Sequence, residues 1–188
     1  VGIAAATQST SGKIGVIGGS PIKVLEALFS GVIEGAKYVN PDCETTVLWA
    51  GDWVDTAKHK ELGTMLTNDG CDVLFTVTGN ANVGVFEAAE IAGAKAIGYA
   101  WDEHDANPNA IMTSVKMDLP KLYLEVADMY TNGTLENKIY SLDASYFAFT
   151  DFYGIDADKQ TKILDVAGKL QSGEITIAEN IHSEIMPK

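Results

Sequence analysis

Two tryptophans, Trp53 in Gly51-Asp52-Trp53-Val54-Asp55 and Trp101 in Trp101-Asp102-Glu103-His104-Asp105, stand among short polar side chains just after apolar, β-branched runs. An indole so placed can stack on a flat ligand, adding about 0.5–1.5 kcal/mol of aromatic pairing to the apolar area it covers. Asp52, Asp102, Asn80 and Asn82 offer carboxylate and amide groups to the polar edges of such a ligand, and Lys116 offers a cation to a ligand oxygen or to Asp102. Gly19, in Gly18-Gly19-Ser20-Pro21, belongs to the same set of loops. Taken singly, an Asp at a loop start is more often a turn former or a helix cap. Convergence on one rim is what favours a binding role. Trp49 is read as packing, because it lies inside a run. His59, His104 and His182 show no zinc-ligand spacing and receive no role. No Ser/His/Asp or Cys/His arrangement and no Gly-x-Ser-x-Gly elbow demands catalysis, so the chain is read as non-enzymatic, with no metal and no cofactor.

The elements that must position these residues follow from a repeated pattern of short β-branched runs and helical periodicity. Strands are expected at 13–18, 45–50, 72–78, 94–100 and 110–115, with a sixth at 138–142. Helices are expected over about 22–33, 55–68 with Asp55 as N-cap, 82–92, 119–131 closed by Asn132-Gly133, and 156–171. Strands apolar on both faces and alternating with helices imply an α/β fold, a three-layer sandwich around a mainly parallel sheet. In such sheets ligands bind beyond the carboxyl ends of the strands, and that is where the loops above fall. The 188 residues carry a formal charge of -13, and all 13 basic residues are lysines. That excludes a nucleic-acid binder and any bidentate guanidinium clamp on an anion; a neutral ligand suits the chain better. Cys43 and Cys71 precede strands separated by a third, too far apart for a disulfide, and are read as free thiols. No apolar run approaches the roughly 18 residues of a membrane span, and Val1 to Gly12 lack a signal-peptide pattern.

Several stretches, taken in order, resemble the basic membrane protein family of substrate-binding lipoproteins, which deliver purine nucleosides or related bases to ABC transporters. They are Ala4-Ala5-Ala6 through Gly18-Gly19, Phe29-Ser30-Gly31 with Gly35 to Pro41, Gly51 to Asp55 with Lys58 and Lys60, Gly84 to Ala89, Met112 to Lys116, and Ser172 to Ile175. The resemblance implies a type I periplasmic-binding fold whose two lobes close on a ligand, and this chain resembles the second lobe. Residues 1–118 would form the ligand-binding lobe, and 119–188 the C-terminal helices and strand that return toward the first lobe, which is missing from this chain. It implies that Trp53 stacks on the purine and that Lys116 binds a hydroxyl. Of the family's Asp-x-Asp for ribose, Ala100-Trp101-Asp102 keeps only the second carboxylate, which leaves a nucleobase as acceptable as a nucleoside. It further implies an ABC transporter permease as partner and an extracytoplasmic protein lipid-anchored to the cell membrane.

Two other readings stay open. Acidity, length, rim aromatics and Thr76-Val77-Thr78-Gly79-Asn80 also suit a flavodoxin-like redox protein, whose bound flavin would colour the preparation yellow. A ligand-sensing regulatory domain of the same fold would read closure through a different partner. Without the first lobe, Leu119, Leu122, Tyr123 and Val126 lack cover, and an apolar face of that kind finds a partner. The expected state is therefore a piece of a longer protein or a homo-oligomer that buries this face. Light scattering that returned a well-behaved monomer would count against the oligomer.

Overall fold

The computed structural model describes residues 1–138, 140, 142–178 and 180–187. Along the chain run α1 (Gly2–Gln8), β1 (Lys13–Gly18), α2 (Lys23–Val39), β2 (Glu44–Trp49), α3 (Thr56–Asn68), β3 (Val73–Val77), α4 (Asn82–Ala92), β4 (Lys95–Ala100), β5 (Ile111–Met117), α5 (Leu119–Thr131), β6 (Phe147–Phe149) and α6 (Ala157–Ser172). The strands form one sheet in the order β2-β1-β3-β4-β5-β6. Its first four pairings are parallel, and β6 closes the edge antiparallel to β5, with Lys116 opposite Ala148.

Because successive strand side chains point to opposite faces, the sheet carries two cores. On one side Ile14, Val16, Phe75, Ile97 and Met112 meet Phe29 and Val32 of α2, Ala4 of α1 and Ile163 of α6. On the other Ile17, Leu74, Ala96 and Ile111 meet Leu66 of α3 and Val85, Phe86 and Ala89 of α4. This is the α/β three-layer arrangement that the alternation of periods dictates. Glycines let α3 and α4 approach closely: a Cβ on Gly84 would run into the Thr56 carbonyl, and one on Gly63 into Ala88.

Local chemistry sets most boundaries. Asp55 accepts from Lys58 N–H and Asp118 from Lys121 N–H, each capping the helix that follows. Gly133 and Gly173 take left-handed conformations just past α5 and α6. The expected strand at 138–142 is corrected. Lys138, Tyr140 and Leu142 lie in no strand, Ile139 and Ser141 lie outside the described residues, and the sixth strand is Phe147–Phe149. Helix α1 was not expected, since its seven residues, mostly alanine and glycine, show no amphipathic contrast, yet it is buried against α2. Cys43 and Cys71 are free and buried in the two different cores.

None of the residues in α5 is buried, and Tyr123, Leu124, Val126 and Tyr130 are all exposed. The C-terminal segment, by contrast, straps α2. Ser30 Oγ accepts from His182 N–H at 2.9 Å, Trp49 Nε1 donates to the Ile185 carbonyl at 2.6 Å, and His182 Nε2 lies 2.6 Å from Glu34. Glu34 and then Glu184 raise the His182 imidazole above its ordinary 6.5, and His182 holds Glu34 below the usual carboxylate range. A raised histidine stabilises fully below its unfolded value and ceases to do so as pH climbs through its folded one. The lowered Glu34 loses its contribution as pH falls through its own folded value. The gap in thermal midpoint between wild type and His182→Gln is therefore expected to be widest between about pH 5 and 6.5 and to close in alkali. A gap independent of pH would show that this pair does not hold the strap.

Candidate ligand-binding site at the strand ends

The loops after β1, β2, β3 and β4 meet at the carboxyl edge of the sheet, tied by Gly19 N–H to the Val77 carbonyl at 3.2 Å and Asp52 N–H to the Gly19 carbonyl at 3.1 Å. The sequence-derived residues fall into two adjoining groups there.

Above β1 and β2, the Trp53 indole lies flat on Gly19, where a Cβ would strike the ring, and its Nε1 donates to Ser20 Oγ at 2.9 Å. Trp53 keeps 38% of its surface exposed. Asp52 is occupied with the turn: Oδ1 accepts from Val54 N–H at 2.7 Å and Asp55 N–H at 2.5 Å, and these bonds hold its carboxyl below the usual range.

Above β3 and β4, Asn80, Trp101 and Asp102 come together around a cavity of about 330 Å³, walled also by Gly79, Val83, Glu103 and Ala106. That volume falls at the lower end of small-molecule pockets. Trp101 is half exposed, and Asp102 Oδ1 is oriented by the His104 N–H at 3.1 Å. Gly79 links the two groups, since its left-handed turn passes close to the Trp53 carbonyl. Trp53, Asp52, Gly19 and Lys116 do not line this cavity. Lys116 is exposed on β5 between Ala100 and Ala148 and makes no ion pair with Asp102 among the described residues.

A buried polar network holds the second group in place. Asn82 opens α4, and its Oδ1 accepts from Thr78 N–H at 2.9 Å, Thr78 Oγ1 at 2.7 Å and Thr76 Oγ1 at 3.2 Å. Its Nδ2 donates to both oxygens of Glu103, at 3.0 and 3.1 Å. Glu103 Oε2 also accepts from Tyr99 N–H at 2.8 Å, and Glu103 N–H donates to Ser114 Oγ at 3.1 Å. Burial, the largest cause, pushes the Glu103 carboxyl upward against the pull of Asn82 and the Tyr99 N–H. The chain reverses between Tyr99 and Glu103 through Ala100 at φ 75°, where it is the one non-glycine in the left-handed region among the described residues. Such a residue costs on the order of 1–3 kcal/mol and persists only where its surroundings fix it.

Asn82, expected at the ligand, is thus a structural residue with both ends of its amide engaged. Glu103 was missed, because an acidic stretch after a strand reads as solvated and only the fold shows one carboxylate turning inward. The nearest signal in the sequence is Gly98, where a Cβ would meet Ser114 Oγ and lie 2.9 Å from Glu103 Oε2.

A mainly parallel six-stranded sheet with a small aromatic-walled cavity beyond its strand ends is an α/β architecture of the kind that takes ligands at that edge. The family model of ABC transporter substrate-binding proteins, PnrA-like, matches residues 1–180, and the chain belongs to that Bmp family. It is similar to the transcriptional activator protein Med of Bacillus subtilis (strain 168), with 31% identity over 165 residues, 86% of this chain and 51% of that protein. It is also similar to a purine-binding protein of Brucella abortus (strain 2308), 25% identical over 93% of this chain and 50% of the other. Among solved structures, a transcriptional activator of the comK gene from Bacillus halodurans superposes with a TM-score of 0.77 at 30% identity, covering 92% of this chain and 61% of that one. The chain spans about half the length of these curated relatives.

The contact of Trp53 with Gly19 is testable alone. Gly19→Ala should drive the indole off the loop and cost about 1–3 kcal/mol of stability through overpacking, with a red-shifted and more readily quenched tryptophan emission. An unchanged spectrum would mean that the ring does not rest there.

Proposed function

We propose that this chain is the substrate-binding part of an ABC-type uptake system and holds a purine base or nucleoside at the edge formed by its strand ends. The observation that carries the reading is the convergence of Asn80, Trp101 and Asp102 on one cavity of about 330 Å³. Trp101 supplies a wall for the flat ring system, and Asn80 and Asp102 supply amide and carboxylate partners for its edge nitrogens. Trp53, backed by Gly19 and beside Asp52, offers a second aromatic surface next to the cavity, and Lys116 serves ligand oxygens from the neighbouring strand end. The cavity walls hold two carboxylates and no lysine, which suits an uncharged ligand. The role is binding and not catalysis, and it needs no cofactor.

The family and the purine-binding relative support this reading. The partners are a permease and a second wall for the half-open cavity, given by a first lobe or by another copy of the chain. The setting is extracytoplasmic, with the protein held to the cell membrane by a lipid anchor. Among the described residues no helix is long and apolar enough to cross a membrane. A sensing role is favoured by a different observation, the two relatives named as transcriptional activators. Uptake of radiolabelled purine separates the two: deleting the gene abolishes it under transport and leaves it intact, with altered transcript levels, under sensing.

Calorimetry with adenine, guanosine and inosine tests the site. Trp101→Ala is expected to weaken binding by about tenfold, the worth of one aromatic pairing, and Trp53→Ala by a smaller factor. Equal affinities for wild type and both variants would remove the indoles from the site.

A further inference from the structure

We propose that Glu103 is a positioning residue for the rim cavity: as a carboxylate it ties the turn carrying Trp101 and Asp102 to α4, β4 and β5, and on taking up a proton it releases that turn, so that ligand binding weakens in acid. The inference rests on the reading of the cavity as a ligand site and extends it to regulation.

Donors alone face the carboxylate. Asn82 Nδ2 reaches both oxygens and Tyr99 N–H reaches Oε2. An ionised carboxylate accepts from all of them, whereas a carboxylic acid sets its own proton against one of these N–H groups and loses that bond. Asn82 cannot turn its amide to offer an oxygen instead, because Oδ1 is already held by Thr78 N–H and by the Thr78 and Thr76 hydroxyls. The proton costs least on Oε1, which accepts from Asn82 Nδ2 alone, so the bond that is lost is one that holds the 101–103 turn to α4 above the strained Ala100 backbone, while the Tyr99 N–H stays on Oε2. The groups packed against Glu103 are Asn82 from α4, the Tyr99 N–H from β4 and Ser114 from β5, none of them charged. Asp102 and His104 are the titratable neighbours on its own turn; His104 Nδ1 lies 3.2 Å from the Ile111 carbonyl, and its ring stacks on Tyr153. Burial raises the Glu103 carboxyl above its ordinary value against the pull of Asn82 and the Tyr99 N–H, so as pH falls the proton arrives there before it reaches the protein's ordinary carboxylates.

The test uses the intact chain and two readouts. The first is the Trp101 indole N–H resonance, assigned by its loss in Trp101→Phe, followed through a pH titration without ligand. The second is calorimetry with adenine, guanosine and inosine at neutral and mildly acidic pH. In wild type the resonance should move with one titration as pH is lowered, and affinity should fall by about tenfold, as expected for one hydrogen bond to a charged group. Glu103→Gln places an amide donor against Asn82 and should give a resonance that no longer titrates and an affinity that is weak at every pH. Adding Asn82→Asp supplies a new acceptor for that amide and should recover most of the neutral-pH affinity. A residue that merely fills space would show no such rescue.

The proposal is overturned if Glu103→Gln keeps the wild-type pH profile, which would assign the titration to Asp102 or His104, or if the double variant is no better than the single one. Should Glu103→Gln fail to fold, Ser114→Ala decides: it unhooks the turn from β5 while leaving the carboxylate, so affinity should drop with the pH profile retained, and an unchanged affinity sinks the idea. If no purine binds to any form, the ligand reading of the cavity falls. The resonance titration then decides alone whether Glu103 governs the turn.

Discussion

A carboxylate and a carboxamide buried at the joint of three strand ends set the shape of the rim. Asn82 and Glu103 are 3% and 7% exposed, and neither could stay there unpaired, since each buried donor or acceptor left without a partner costs about 1–3 kcal/mol. Their partners come from β3 and the residue after it, from β4 and β5, and from the first turn of α4. Thr76 in β3 and Thr78 just past its end place hydroxyls where a buried segment would otherwise carry aliphatic side chains. Gly98 gives the carboxylate room, and Ala100 accepts a left-handed conformation so that the turn can close. Such networks rigidify when every member is satisfied and fail together when one is not. The position of Trp101 and Asp102 is therefore a property of the network and not of their own loop.

The two cores above and below the sheet supply the rigidity against which this joint works, and they do it with unequal cover. One face has α3 and α4 in close contact across glycines. The other has α1, α2 and α6, with the C-terminal strap bound to α2 and to the Trp49 indole. Helix α5 stands outside both cores with its aromatic and aliphatic side chains exposed. The chain spans about half the length of the curated relatives it matches.

Much of this was legible from residue types. Asp55 caps its helix, Asn132-Gly133 closes α5 with a left-handed glycine, and the alternation of buried strands with amphipathic helices gives the layers. What failed to read did so for physical reasons. Helix α1 is too short and too rich in alanine to show periodicity, and its burial against α2 is what makes it a helix. The last strand exists because Phe147–Phe149 finds the free edge of β5, a pairing that no local pattern encodes. Asp52 and Asn82 carried the right chemistry for a ligand, yet each spends it on the backbone or on a neighbour.

The sequence by itself determined the alternation of strands and helices and so the layers, the acidity, the absence of guanidinium groups, and the loops that gather at the strand ends. These follow from local preference and from period, which every short window of the chain carries. Only the tertiary structure decided which members of that set face one cavity, that Trp53 lies on Gly19 beside it, and that Glu103 turns inward while Asp102 does not. Those outcomes depend on distances between residues far apart in the chain and on which polar groups lose water. Desolvation is a property of the assembled fold and leaves no mark on a residue's name.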